Sequence, residues 1–112
     1  MRGRVVAPAI VGAGCEIAAH AIVGGRTVLG SGVRIGEGAR VESSVLLDGV
    51  QIGARTTVHS SIVAAGSAIG EHCNLDGGVV VGAGVRLGRE NILRAGARIF
   101  PGVQLPDGAI KF

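Results

Sequence analysis

Leu29-Gly30-Ser31-Gly32-Val33-Arg34 is followed at once by Ile35-Gly36-Glu37-Gly38-Ala39-Arg40. The two six-residue units match position by position. A large aliphatic comes first, Gly stands second and fourth, a small or β-branched residue is fifth and Arg is sixth. Working backwards, the same unit runs through Val23 to Val28, Ile17 to Ile22 and Val11 to Glu16. Working forwards, it resumes at Ile52 and Ile69, then recurs from Leu75 at Val81, Leu87, Leu93, Ile99 and Leu105 without a slip. An internal repeat of this kind decides the architecture before any single residue does.

Each position has a physical task. The first residue is an aliphatic that points inward. The fifth also points inward, near a corner, and is small or β-branched (Cys15, Ala21, Thr27, Val33, Ala39, Thr56, Cys73, Val79, Val85, Ala97, Val103). The second and fourth positions hold all of the 21 glycines except Gly3, Gly25 and Gly77, as expected where a chain turns with positive φ. One unit is therefore a short strand plus a turn. Three units close a triangular coil, and coils stack at the ~4.8 Å strand spacing.

Three aliphatic ladders follow: Ile17, Ile35, Ile52, Ile69, Leu87 and Leu105; Val5, Val23, Val41, Val58, Leu75 and Leu93; and Val11, Leu29, Leu46, Val63, Val81 and Ile99. The expected fold is an all-β parallel β-helix of about six triangular coils. The expected organisation is a single domain over 1–112, with a tail at 1–4, coils at 5–105 and a cap at 106–112. A helical reading fails, because Gly inside a helix costs about 0.5–1 kcal/mol each time.

Two units break the period. Val41-Glu42-Ser43-Ser44-Val45 and Val58-His59-Ser60-Ser61-Ile62 are each one residue short, on the same face of adjacent coils. Deleting the same corner twice keeps the stack in register, which predicts a tightened corner there.

Composition agrees with many small layers. Trp and Tyr are absent, and the only aromatics are Phe100 and Phe112. Gly does not recur every third residue, which excludes collagen, and the aliphatic content is too high for disorder. The net charge of +3 comes from scattered arginines, which predicts solvated surface and no nucleic-acid partner. No apolar run approaches a membrane span, so no membrane partner is expected, and the basic start Met1-Arg2-Gly3-Arg4 lacks the apolar run of a signal peptide.

Residues with chemical potential are few. His20 and His72 share a face about three coils, or ~14 Å, apart, and His59 lies on another face. Zinc ligands must come within ~2 Å of the metal, so no metal site is expected within one chain and the histidines read as solvated corners. Cys15 and Cys73 occupy inward fifth positions on different faces, too far apart for a disulfide. Asn91 occupies the same inward position, where its amide needs partners and reads as a cap of backbone groups. No catalytic, cofactor-binding or metal-binding residue is expected, and no cofactor.

Strict hexapeptides in triangular coils resemble the left-handed β-helix family, which implies a left-handed coil. A trimeric carbonic-anhydrase-like β-helix shares histidines between subunits, but its close histidine pair is missing here. Hexapeptide acyltransferases share the fold yet typically add a projecting loop around a catalytic histidine. Here the repeat runs from Val5 to Ile110 without insertion.

The C-terminal stretch Gly96-Ala97-Arg98-Ile99-Phe100-Pro101-Gly102-Val103-Gln104-Leu105-Pro106-Asp107-Gly108-Ala109-Ile110-Lys111-Phe112 closely resembles the end of bacterial mannose-1-phosphate guanylyltransferases and related sugar-nucleotide pyrophosphorylases. The two Ser-Ser units look like the same family's central coils. The resemblance implies a non-catalytic C-terminal assembly or regulatory domain of a cytoplasmic sugar-phosphate nucleotidyltransferase. The N-terminal catalytic nucleotidyltransferase domain of such enzymes is not in this chain. A small free-standing acyltransferase is the alternative.

A homo-oligomer is expected. Ile110 and Phe112 are placed to fold over the last coil, while the cross-section lined by Val5, Val11 and Ile17 has no comparable lid. Self-association is therefore expected through that open end or through a flat face.

Overall fold

The structure, a computed structural model, describes residues 3–110. Phe112 and Lys111, and the tail residues Met1 and Arg2, lie outside the described residues. Strands of two or three residues alternate with turns along the chain. They assemble into three parallel sheets of six strands each, in which every strand pairs with the one three strands away in the chain. This is the triangular parallel β-helix expected from the repeat, and no helix occurs among the described residues.

Sheet I comprises Arg4–Val5, Ile22–Val23, Arg40–Glu42, Thr57–His59, Asn74–Asp76 and Ile92–Arg94. Sheet II comprises Ala9–Val11, Thr27–Leu29, Val45–Leu46, Ile62–Val63, Val80–Val81 and Arg98–Ile99. Sheet III comprises Glu16–Ile17, Arg34–Ile35, Gln51–Ile52, Ala68–Ile69, Arg86–Leu87 and Gln104–Leu105. The pairing register reproduces all three ladders: Val58 stands between Val41 and Leu75, Val63 between Leu46 and Val81, and Ile69 between Ile52 and Leu87.

The ladders form one continuous core. Val23, Val41, Val58, Leu75 and Leu93 are fully buried, as are Leu46, Val63 and Val81. Burial of such side chains is worth about 1.5–3 kcal/mol each relative to exposure, and it is most complete in the central coils. The second-position glycines let adjacent coils approach. A Cβ on Gly53 would lie 2.5 Å from the carbonyl carbon of Gly70 in the next coil, so any side chain there would force the stack apart.

The short units turn as tightened corners. Ser43 and Ser60 carry the left-handed turn at φ 49° and 52°, and Ser44 and Ser61 are buried at the inward corner position. Ser44 Oγ donates to the Glu42 carbonyl at 2.7 Å and accepts from the Ser61 amide at 3.2 Å. The hydroxyls thus replace the hydrogen bonds that the missing residue would have supplied.

The N-terminal end differs from expectation. The first strand takes in Arg4, which pairs with Ile22, and the Gly3 amide donates to the Ile17 carbonyl at 3.2 Å. Gly3 packs onto Ile17, which is buried rather than part of an open cross-section. Val11 stays exposed at that end. Gly3 lacks a side chain, which is what allows so short a segment to lie directly on the first rung.

Candidate functional site

The fold places His20 and His72 at fourth positions of one edge, in left-handed turns at φ 63° and 55°. Gly38 and Arg55 occupy the same turn position in the coils between them, linked by successive backbone hydrogen bonds. At ~4.8 Å per coil the two imidazoles are separated by three rungs. Both are exposed. His59 lies apart, on the outer side of sheet I. The three histidines are not brought together, and among the described residues no cluster of three or more His, Cys, Asp or Glu side chains is placed to hold a metal ion.

His59 has partners that the periodicity alone does not reveal. Sheet I register stacks Glu42, His59, Asp76 and Arg94 in one outward column. His59 Nδ1 lies 2.9 Å from Asp76 Oδ1 and 3.4 Å from Ser60 Oγ. Both contacts fall on the same ring nitrogen, so the group cannot relay a proton from serine through imidazole to carboxylate. All three residues are exposed, without the enclosing pocket that general-base chemistry needs. The stripe is legible in the sequence as the second positions of successive sheet I units, Glu42, His59, Asp76 and Arg94.

The polar inward residues share one structural task. Cys15 Sγ donates to the Gly30 carbonyl, Thr56 Oγ1 to Gly70, Ser67 Oγ to Gly82 and Cys73 Sγ to Gly88. In each case a fifth-position donor ties itself to the second-position carbonyl of the following coil. Asn91 extends the pattern. Its Nδ2 donates to the Gly88 and Pro106 carbonyls at 3.0 and 3.1 Å, and its Oδ1 accepts from the Ile110 amide at 2.8 Å. The amide that the sequence marks as needing partners therefore fastens the C-terminal segment onto the last coils. Both cysteines are free thiols, and burial pushes the Cys73 thiol above its ordinary pKa, against a smaller lowering by backbone hydrogen bonds. A desolvated neutral thiol is a poor nucleophile.

A shallow concavity of about 580 Å³ follows sheet III past Glu16, Arg34, Gln51 and Gly53. Its charges neutralise each other, with Arg34 Nε 3.0 Å from Glu16 Oε1. The rest of its lining is Gly, Ala and the ladder isoleucines rather than a set of convergent polar groups.

Fold and surface together define a hexapeptide-repeat β-helix domain. The chain belongs to the family described as GMPPB C-terminal domain, whose model matches residues 5–108. It is a C-terminal hexapeptide-repeat domain of a GMPPB-like protein. No curated protein matches it.

Among solved structures it is similar to the acetyltransferase domain of PglB from Neisseria gonorrhoeae, at 24% identity and TM-score 0.53, over 98% of this chain and 54% of that one. The same domain in complex with acetyl coenzyme A gives 24% identity and TM-score 0.55, over 96% and 53%. An acetyltransferase-type gene product of Bacillus cereus gives 15% and 0.52, over 93% and 78%. At these identities the likeness is one of fold. The chain spans about half the length of the two PglB structures. Among the described residues no helix is long and apolar enough to cross a membrane.

Proposed function

We propose that this chain is the non-catalytic assembly or regulatory part of a cytoplasmic sugar-phosphate nucleotidyltransferase, of the mannose-1-phosphate guanylyltransferase type that makes GDP-mannose. The observation that carries this reading is the family match over residues 5–108, which takes in the Phe100-Pro101-Gly102 and Pro106-Asp107-Gly108 segments. In this reading the coil is left-handed, the domain spans the whole of 1–112, and it works as a homo-oligomer joined to a separate catalytic domain. No residue of this chain is assigned to substrate, cofactor or metal. The scattered histidines and the unbroken coil support that assignment.

The test is an activity comparison. The isolated chain is expected neither to make GDP-mannose from GTP and mannose-1-phosphate nor to transfer acetyl from acetyl coenzyme A. A polypeptide carrying a nucleotidyltransferase domain ahead of this chain is expected to do the first. Reproducible acetyl transfer by the isolated chain, abolished by changing His20, His59 or His72, would replace this reading with the acyltransferase alternative.

A further inference from the structure

Every aspartate in the chain is followed by glycine: Asp48-Gly49, Asp76-Gly77 and Asp107-Gly108. An Asp-Gly step carries its own reactive pair. The side-chain carboxyl carbon is an electrophile, and the next amide nitrogen is a nucleophile whose approach no Cβ hinders. Whether the two meet depends on how the fold holds each of them.

Two of the steps are clamped alike. The Ser31 amide donates to Asp48 Oδ1 at 2.9 Å, and the Ser31 carbonyl accepts from the Gly49 amide at 2.9 Å. The Arg89 amide donates to Asp107 Oδ1 at 2.7 Å, and the Arg89 carbonyl accepts from the Gly108 amide at 2.8 Å. In both cases one residue of the preceding coil fixes electrophile and nucleophile together. Asp48 and Asp107 stand third in their units, so their glycines fall on the fourth position, where the amide bonds to the coil before.

Asp76 stands second, one place early, and its step has no such clamp. It lies where a full-length sheet I corner stacks on a short one, and Gly77 has no counterpart in the Ser60–Ser61 corner beneath it. Ala95, at the position of Gly77 one coil on, donates its amide to the Asp76 carbonyl at 3.2 Å. The matching acceptor for Gly77 is the His59 carbonyl, which accepts instead from the Ser61 hydroxyl at 2.9 Å. The Gly78 amide donates to the Ser60 carbonyl at 2.9 Å, and the Gly77 amide has no hydrogen-bond acceptor among the described residues. The Asp76 carboxylate is held only by the His59 ring, with 48% and 58% of the histidine and aspartate side chains accessible, and an exposed pair of this kind holds weakly.

We propose that Asp76 is a self-modification site, at which the folded chain converts aspartate to isoaspartate while Asp48 and Asp107 are protected. The Gly77 nitrogen bonds to Asp76 Cγ, and a Cγ–O bond breaks. That oxygen leaves as water, taking the amide proton and the carboxyl proton. The resulting succinimide ring adds one water. Opening at the new Cγ–N bond restores aspartate. Opening at the original backbone C–N bond leaves the main chain running through Cβ and Cγ, with the former backbone carbonyl as a free carboxylate. Mass is unchanged overall, and no oxidant or cofactor takes part. The product lengthens the main chain at a corner that already carries one residue more than the corner beneath it, so the buried Leu75 and Val79 on either side keep their places in the stack.

The test follows the folded 112-residue chain over time in neutral buffer. Isoaspartate is located by peptide mapping with electron-transfer fragmentation and counted with an isoaspartyl methyltransferase and labelled S-adenosylmethionine. The expected result is formation at Asp76 roughly tenfold or more faster than at Asp48 or Asp107, the effect of releasing two ordinary hydrogen bonds. In guanidinium chloride the three steps are expected to react at similar rates, because the coils that distinguish them are gone. Asp76→Glu, which would have to close a larger ring, is expected to remove the signal from the folded chain. Melting curves should show the converted chain still folded.

Equal rates at the three steps of the folded chain overturn the proposal, as does faster conversion at Asp48 or Asp107. So does a folded chain that gains no isoaspartate at Asp76 in the time the unfolded chain converts. Loss of β-sheet circular dichroism in step with conversion overturns the claim that this corner absorbs the longer backbone.

Discussion

On sheet I the strands send Val41, Val58, Leu75 and Leu93 inward and Glu42, His59, Asp76 and Arg94 outward. On sheet II they send Leu46, Val63 and Val81 inward, while Val45, Ile62 and Val80 stand on the outer side. The two interiors are interchangeable through the central coils, where either ladder is a stack of fully buried aliphatics. The two exteriors have opposite chemistry. The β-helix asks one inward aliphatic of each strand and makes no demand on its outer neighbours beyond fitting the pleat. A charged column on one face and an apolar column on another are therefore free of the fold, and the apolar one is costly to leave in water. The contrast lies in the outer faces alone: sheet I presents charge to solvent and sheet II presents aliphatics.

The contrast depends first on the interiors being what holds the stack. Ile69→Asp tests this most severely. Ile69 is 3% exposed on the sheet III ladder, and an unpaired buried carboxylate costs several kcal/mol against a typical total of about 5–15 kcal/mol. The chain is expected to lose its β-sheet circular dichroism at room temperature. A variant melting like the wild type would refute the ladder assignment and with it the distinction between inner and outer columns.

A smaller effect is expected at Asn91→Ala. That change strands the Ile110 amide and frees the Gly88 and Pro106 carbonyls, at a cost of about 2–3 kcal/mol for buried groups left without partners. Denaturant titration should show the loss, with residues near Ile110 exchanging amide protons faster than those around Val58. Uniform exchange would mean that Asn91 does not hold the C-terminal segment.

The smallest effect belongs to sheet I. His59→Ala removes an exposed contact with Asp76, and such pairs contribute about 0–1 kcal/mol. Stability is expected to stay within about 0.5 kcal/mol of wild type, and the sedimentation profile should not move. A shift in association state caused by this substitution would erase the difference between the two faces.

Most of the fold is legible in the sequence because a six-residue repeat assigns every residue a rung, a face and a direction at once. The three ladders and the paired short corner at Ser43–Ser44 and Ser60–Ser61 follow from counting, whereas positive φ, expected at second and fourth positions alike, falls on fourth positions such as His20 and His72 and not on second-position glycines such as Gly30 and Gly53. The outer columns are equally countable, from the sixth and second positions of the same units.

Tertiary structure decided what lies between coils. The Ser44 hydroxyl meets the Ser61 amide, fifth-position donors reach second-position carbonyls one coil on, Asn91 grips Ile110, and Gly3 covers Ile17. These contacts join residues 14 to 19 positions apart. Their existence depends on the distance and angle at which one corner stacks on the next, to within a few tenths of an ångström. A repeat specifies which residues are neighbours on the stack, but the hydrogen bonds between them form only once the coils have closed.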